Sequence, residues 1–380
     1  MNRDTRLITL ALLLWGFGEG LFLYIQPLYM EQLGADPIQI GGLLSATSLV
    51  SALTFLPAGI LSDRLPRKWV MWGGWGLGLV GVLLVALART WQGLIPALLL
   101  YSFSAYCMPV INAYLAHSVG GINLERTFTT VSAGYAAGSL ISPAVGGWLA
   151  GETTMRTVYL VSAAFFALSS LVVAWVSPQP VIPQVGRERP WQSLLNRRVL
   201  SFAALTGLTF TAMYVSFPLV PNFLADVRGW DVAWIGMLGS FQSLGTIFLN
   251  LLLGHLAAGN RRRGLMVGQG LVWAAALLLL RTHTFPPLAL AYLLRGAYMG
   301  CRSLAGARAT ALGSEAERGV MLGAAESIIA IAQVIAPSVA GWLYVSNPTY
   351  PLLATLTLIP LTLLLTVLPI SRWAGEKAGS

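Results

Sequence analysis

Four ionisable residues stand inside apolar runs of this chain: Glu19 in WGFGEGLF, Arg295 and Arg302 in LLRGAYMGCR, and Glu326 in MLGAAESII. A charged side chain at mid-bilayer costs about 2.5–3.5 kcal/mol on insertion scales, so it persists where it is paired or faces water or a substrate. A carboxylate in such a place can take up and release a proton as its surroundings change. A guanidinium there can hold an anionic group or set the charge of a nearby carboxylate. Arg295 and Arg302 lie seven residues apart and share a helical face, with Tyr298 between them. Trp15, Glu19, Phe22 and Gln26 follow helical spacing too, as one polar and aromatic stripe. By depth, Glu326 is expected to pair with Arg302, and Glu19 to face Arg295 as the proton-coupling pair. The competing reading makes both of them fixed structural ion pairs. Tyr101, Tyr106, Asn112, Asn222, Gln242, Gln269 and Gln333 are the other polar side chains placed to meet a solute, or to bond between helices.

These residues need long apolar helices to hold them. The chain is 56% hydrophobic and only 10% charged, with a mean hydropathy of +0.72, whereas soluble domains carry about 25% charged residues. Apolar runs recur at the length that crosses a bilayer, and the alternating pattern of a β-barrel is missing. An all-α membrane protein follows, with twelve spans near 6–32, 38–61, 69–88, 93–116, 127–150, 156–177, 199–224, 232–257, 265–281, 286–311, 319–344 and 350–370. The first apolar run lacks a small-residue cleavage site and reads as a retained span. Most of the 23 Lys and Arg residues fall on one side of this arrangement, leaving Arg89, Arg156, Arg228 and Arg281 on the other. The positive-inside rule then places both termini in the cytoplasm.

The net charge of +9 is spread over loops rather than gathered in a patch, which argues against a nucleic-acid partner. Cys107 and Cys301 sit in apolar runs and read as packing residues. His117, His255 and His283 stand apart, with no metal cluster, nucleophile or P-loop around them. Neither an enzyme nor a cofactor is expected.

Residues 178–198, PQPVIPQVGRERPWQSLLNRR, form the longest polar connection, dividing the chain into 1–177 and 199–380. The two parts repeat one another. PAVGGWL at 143–149 returns as PSVAGWL at 337–343, and Cys107 as Cys301, each 194 positions on; IGGLLS at 40–45 returns as IGMLGS at 235–240, 195 on. Two homologous six-helix bundles are implied, an architecture that transporters use with a substrate site at the repeat interface.

Residues 59–68, GILSDRLPRK, join the second and third spans. This loop resembles the Gly-x-Leu-x-Asp-Arg-x-x-Arg-Arg/Lys motif of the major facilitator superfamily, with Pro66 where the family usually has Gly. The resemblance covers the whole chain and implies that family's fold, two pseudo-symmetric bundles around a central cavity lined by spans 1, 4, 7 and 10. It makes Gly59, Asp63, Arg64, Arg67 and Lys68 a conformational latch on the inner face. The second copy, GHLAAGNRRR at 254–263, has Ala258 in place of the aspartate, so the latch is expected to be one-sided. Span 5 carries Gly138, Ser142, Pro143, Gly146 and Gly147, similar to the motif of the drug/proton antiporter branch, with Ser142 replacing a Gly. A generic tight helix contact explains the same residues. The family often has an Arg in span 4, where this chain has none; Tyr101 stands 194 positions before Arg295.

The resemblance implies a secondary active transporter working by alternating access in the cytoplasmic membrane. Proton-coupled export of a small amphipathic or anionic compound is the leading expectation. Proton-coupled uptake or uniport of a sugar or organic anion is the alternative, and a non-transporting receptor or lipid-handling protein on the same scaffold is an alternative of another class. The expected partners are lipid, a small-molecule substrate and protons, and the expected state is a monomer.

Overall fold

The structure is a computed structural model. It describes residues 2–118, 124–179, 197–259, 261–312 and 318–367, with side chains left out at 55–64, 124–125, 197–198, 258–259, 261, 318–320 and 367. Among the described residues there is no strand, and twelve helical rods follow one another. They are α1 (Arg3–Leu23, resuming as Gln26–Gln32), α2 (Pro37–Arg64), α3 (Arg67–Leu87), α4 (Trp91–Phe103 and Cys107–Ser118 around a 3-10 turn, Ser104–Tyr106), α5 (Leu124–Glu152) and α6 (Met155–Ala174). After them come α7 (Arg197–Tyr214, with Val220–Asn222 and a π turn, Phe223–Val227), α8 (Val232–Gly259), α9 (Arg261–Arg281), α10 (Phe285–Arg295 and Ala297–Thr310), α11 (Arg318–Ser346) and α12 (Tyr350–Val367).

Local chemistry sets several of these ends. Asn2 caps α1 by accepting from Thr5 N at 2.8 Å, and Thr154 caps α6 by accepting from Thr157 N at 3.2 Å; each satisfies an amide that the first turn leaves orphaned. α1, α2, α3, α4, α6, α8, α9 and α11 contain stretches long and apolar enough to cross a membrane unaided. The other four rods are interrupted, short or polar: α5 carries ERTFTT, α10 carries three arginines, α7 is broken, and α12 has only 18 residues.

The chain groups into two compact units. The first comprises Met1–Asp36, Ala46–Gly186 and Leu224–Ser240; the second comprises Pro37–Ser45, Arg187–Phe223 and Phe241–Ser380. The repeat legible in the sequence reappears in their geometry. Gly74 abuts Cys107 in the first unit, as Gly268 abuts Cys301 in the second. Gly34 and Gly229, 195 positions apart, both adopt positive φ, 93° and 66°, a conformation that suits glycine because it has no Cβ. Pro27 and Pro221 are 194 apart, so one extra residue lies between Pro221 and Gly229, and the π turn at Phe223–Val227 houses it.

The helix contact at each end of the repeat matches as well. Gly147 of α5 meets Gly236 of α8 in the first unit, and Gly341 of α11 meets Gly41 of α2 in the second. Beside each, a serine caps the amide that follows a helix-breaking proline. Ser240 Oγ accepts from Ala144 N and Ser45 Oγ accepts from Ser338 N, both at 3.1 Å. Proline loosens the helical ladder around it, and the neighbouring serine satisfies the amide one position on.

Candidate functional site

The site is built on the packing of α1 against α5. Gly134, Gly138, Ser142 and Gly146 recur every four residues along α5, opposite Gly16 and Gly20 of α1. A Cβ on Gly138 would collide with Leu13 O and Phe17 N, and one on Gly146 with Leu21 O. The helices therefore touch backbone to backbone, the small-residue packing used inside membranes. This places the antiporter-like residues of α5: Gly138, Ser142 and Gly146 face α1, Gly147 faces α8, and Pro143 supplies the break that Ser240 caps.

That close approach brings Tyr135 of α5 to Glu19 of α1. Tyr135 Oη donates to Glu19 Oε2 at 2.6 Å, and Tyr101 Oη from α4 donates to Glu19 Oε1 at 2.5 Å. The half-buried carboxylate also lines a cavity of about 160 Å³ with Trp15, Ser51, Trp75, Tyr101 and Met108. Sequence reasoning assigned Glu19 a guanidinium partner, Arg295; the structure gives it two phenols from its own unit. Tyr135 was missed. Its signal was present in the four-residue spacing of small residues on α5, which marks the face that meets α1 and so brings the adjacent tyrosine toward Glu19.

The stripe expected along α1 holds only in part. Trp15 lines the Glu19 cavity, stacked on Phe166 at 3.8 Å and edge-on to Trp75 at 5.6 Å. Phe22 is instead packed in the core, 4.8 Å from Tyr159. The helix breaks at Tyr24 and Ile25, so Gln26 opens a separate segment. Tyr106 is buried and donates to Val70 O at 3.1 Å, tying α4 to α3, while Asn112 is exposed.

In the second unit, Arg302 binds Glu326 through Nε at 2.9 Å and Nη2 at 2.6 Å, joining α10 to α11. The pair stays accessible, at 30% and 40% of its side-chain surface. Tyr298 is buried against Phe210, Tyr214 and Phe217, and Gln333 lies in its surroundings with the ion pair. Arg295 is 5% exposed, donates from Nη2 to Phe217 O at 3.1 Å, and stacks on the Phe217 and Tyr292 rings. Stacking of this kind suits a weakly hydrated guanidinium. Gln242 is half-buried, and among the described residues its buried Oε1 has no hydrogen-bond partner.

Gly59, Asp63 and Arg64 belong to the stretch of α2 whose side chains lie outside the described residues. Arg67 is buried, donating from Nη1 to Ala113 O at 3.2 Å and to Gln179 Oε1 at 3.5 Å, and Lys68 lies over the Trp69 ring. Among the described residues no group of His, Cys, Asp and Glu could hold a metal.

Comparison with known proteins agrees with this architecture. The chain is 28% identical over 307 residues to the multidrug resistance protein MdtG of Escherichia coli K12, covering 77% of this chain and 75% of that one. It is 27% identical over 262 residues to MdtG of Klebsiella pneumoniae, covering 65% of this chain and 63% of that protein's length. The solved structure of the nucleoside transporter NupG shares the fold at a TM-score of 0.81 and 16% identity, over 99% of this chain and all of NupG. A bacterial homologue of the human lysosomal transporter Spinster matches at 0.72 and 16% identity, over 97% of this chain and 94% of the other. The family model described as Major Facilitator Superfamily matches residues 8–219 and 202–377. This multi-pass membrane protein belongs to the major facilitator superfamily.

Proposed function

We propose that the protein is a secondary active transporter that exports a small amphipathic or anionic compound by alternating access, coupled to protons taken up at Glu19. One observation carries the coupling: a half-buried carboxylate inside a membrane-spanning helix, held by two phenols and facing a cavity. Ionised, Glu19 accepts from both Tyr101 and Tyr135 and so ties α1 to α4 and α5. Protonated, the oxygen that carries the proton is a weaker, neutral acceptor, and its phenol is held less tightly or turns to accept instead. Protonation therefore loosens one of two links between helices, a local switch of the kind that can bias a two-state carrier. The matches to multidrug resistance proteins of bacteria support the export direction and a bacterial inner membrane as the site; the working unit is a monomer.

In this reading the small-residue face of α5 sets the distance between Glu19 and Tyr135. The Arg302–Glu326 pair forms the accessible charged surface that an anionic group meets, while Arg295 stays buried against Phe217 and Tyr292 and adds its charge from there. Residues 59–68 act as the latch on the cytoplasmic side, where both termini lie. Residues 1–177 and 199–380 are the two moving halves, joined by the 178–198 linker.

The test is transport in proteoliposomes of a panel of amphipathic cations, anions and neutral compounds, with and without an imposed pH gradient. Accumulation against the proton gradient supports export by antiport. Accumulation down it supports uptake, and no flux for any compound opposes the transport reading.

A further inference from the structure

The second unit contains a cavity of about 200 Å³ among α7, α9, α10 and α12, walled by Phe202 and Phe210 and carrying Thr206, Thr209, Gln269 and Arg308. Its polar residues are not surface groups: Thr206, Thr209 and Gln269 are 6%, 5% and 2% exposed. Thr362 Oγ1 donates to Gln269 Oε1 at 2.8 Å, leaving the amide nitrogen as the remaining donor. Among the described residues, that nitrogen and the hydroxyls of Thr206 and Thr209 meet no hydrogen-bond partner.

The internal repeat shows what the first unit places at the same positions, where the cavity beside Glu19 is about 160 Å³. Residues 194 positions earlier are Leu12, Trp15, Trp75 and Tyr114, and GWGL at 74–77 answers GQGL at 268–271. All four are buried. Trp75 Nε1 donates to Ser169 Oγ at 2.7 Å, and Tyr114 Oη donates to Asp4 Oδ2 at 2.9 Å. There the indoles wall the Glu19 cavity, Trp75 bonded to Ser169 and Trp15 stacked on Phe166. In the second unit two indoles are exchanged for a threonine and a glutamine, a leucine for a threonine, and a tyrosine for an arginine.

A void left by lost core volume costs stability, and unpartnered polar groups around it cost more. Polar residues that open space and keep free donors mark a site that is filled. One water needs about 10–15 Å³ by this measure, so the space admits a molecule of about ten heavy atoms. Its walls are mainly apolar, its unpartnered groups are an amide N–H and two hydroxyls that can each donate to an acid group, and its one charged lining residue is Arg308. We propose that this cavity binds an anionic amphiphile, the acid group at Arg308 and the apolar body between Phe202 and Phe210, at a site separate from Glu19.

The probe is octanoate, titrated against the full chain in a neutral detergent and followed by calorimetry. Saturable binding is expected, weakened about tenfold or more in Arg308→Gln, whereas octanamide binds both proteins equally. Thr209→Trp with Gln269→Trp puts two indoles into the cavity and is expected to abolish binding; should that variant misfold, Thr206→Val with Arg308→Gln, which keeps the volume and removes a hydroxyl and the charge, is expected to abolish it instead. Competition by phosphatidylglycerol, and not phosphatidylcholine, in nanodiscs would identify a membrane lipid as the source; its absence would identify a free acid. No saturable octanoate binding, meaning that the cavity holds water only, overturns the proposal. Binding unchanged by Arg308→Gln and by filling overturns it equally.

Discussion

Tyr135 Oη lies 2.6 Å from Glu19 Oε2, a hydrogen bond between α5 and α1 that spans 116 residues of sequence. It exists because the two helices meet at glycines. Bonds from neutral donors to a charged acceptor are worth about 1.5–3 kcal/mol. Tyr135→Phe removes this one without changing the ring. Gradient-driven flux is expected to fall roughly tenfold to a hundredfold, with the amount of folded protein unchanged. Tyr101→Phe is expected to behave alike, and the double variant to lose less than the sum of the two, because both act through one carboxylate. Initial rates of substrate flux in proteoliposomes measure all three.

Substituting Gly138 by Val puts a Cβ against Leu13 O and Phe17 N, both backbone atoms that no rotamer change can move. Overpacking of this kind costs about 1–3 kcal/mol. A lower melting temperature is expected, together with loss of flux, since α5 would carry Tyr135 away from Glu19. Gly42→Val, which has open space around its added Cβ, is the control and should leave the melting temperature unchanged. Fluorescence-detected size-exclusion chromatography after heating reads both.

Much of the architecture was legible beforehand because membrane spans and repeats declare themselves through composition and constant offsets. The depth of Arg302 and Glu326 along their helices suggested a pair, and the structure joins them. Glu19 was legible as a buried charge, but its partners were not. Two arginines elsewhere in apolar runs offered an electrostatic answer, whereas the actual partners are neutral phenols, whose hydrogen bonds leave no trace in charge pattern. Phe22 was misjudged for a different reason: periodicity shows that residues share a face, not whether that face meets a cavity or the rings of Tyr159 and Phe166. The break at Tyr24 and Ile25 lies just before Pro27, which has no N–H to return to the Leu23 carbonyl; the span expected over 6–32 runs straight through that proline.

In the proposed role the partly accessible Arg302–Glu326 pair faces water, and ion pairs exposed to water contribute about 0–1 kcal/mol. Arg302→Gln is therefore expected to cost little thermal stability. If the pair serves as structure, the charge-swapped variant Arg302→Glu with Glu326→Arg retains flux; if the arginine meets the substrate, it does not. In the proposed role, the swap is expected to abolish transport of anionic compounds while the melting temperature stays near that of the parent.

Ser45 and Ser240 each cap the amide after a proline, in equivalent contacts of the two repeats. Replacing either with Ala leaves that amide without its acceptor, at about 1–3 kcal/mol if it stays buried. Ser45→Ala and Ser240→Ala are expected to lower the melting temperature by similar amounts and to add when combined, since the two contacts share no partner. A large effect at one site and none at the other would contradict the equivalence of the repeats.

The most direct measurement is substrate flux driven by an imposed pH gradient in proteoliposomes, compared between the parent and Glu19→Gln, alongside substrate exchange with no gradient. The glutamine keeps the shape of the side chain and can still accept from a phenol, but it cannot cycle a proton. Exchange surviving in Glu19→Gln while gradient-driven accumulation disappears is the expected result. Accumulation that remains at the parent's level would contradict the assignment of proton coupling to Glu19.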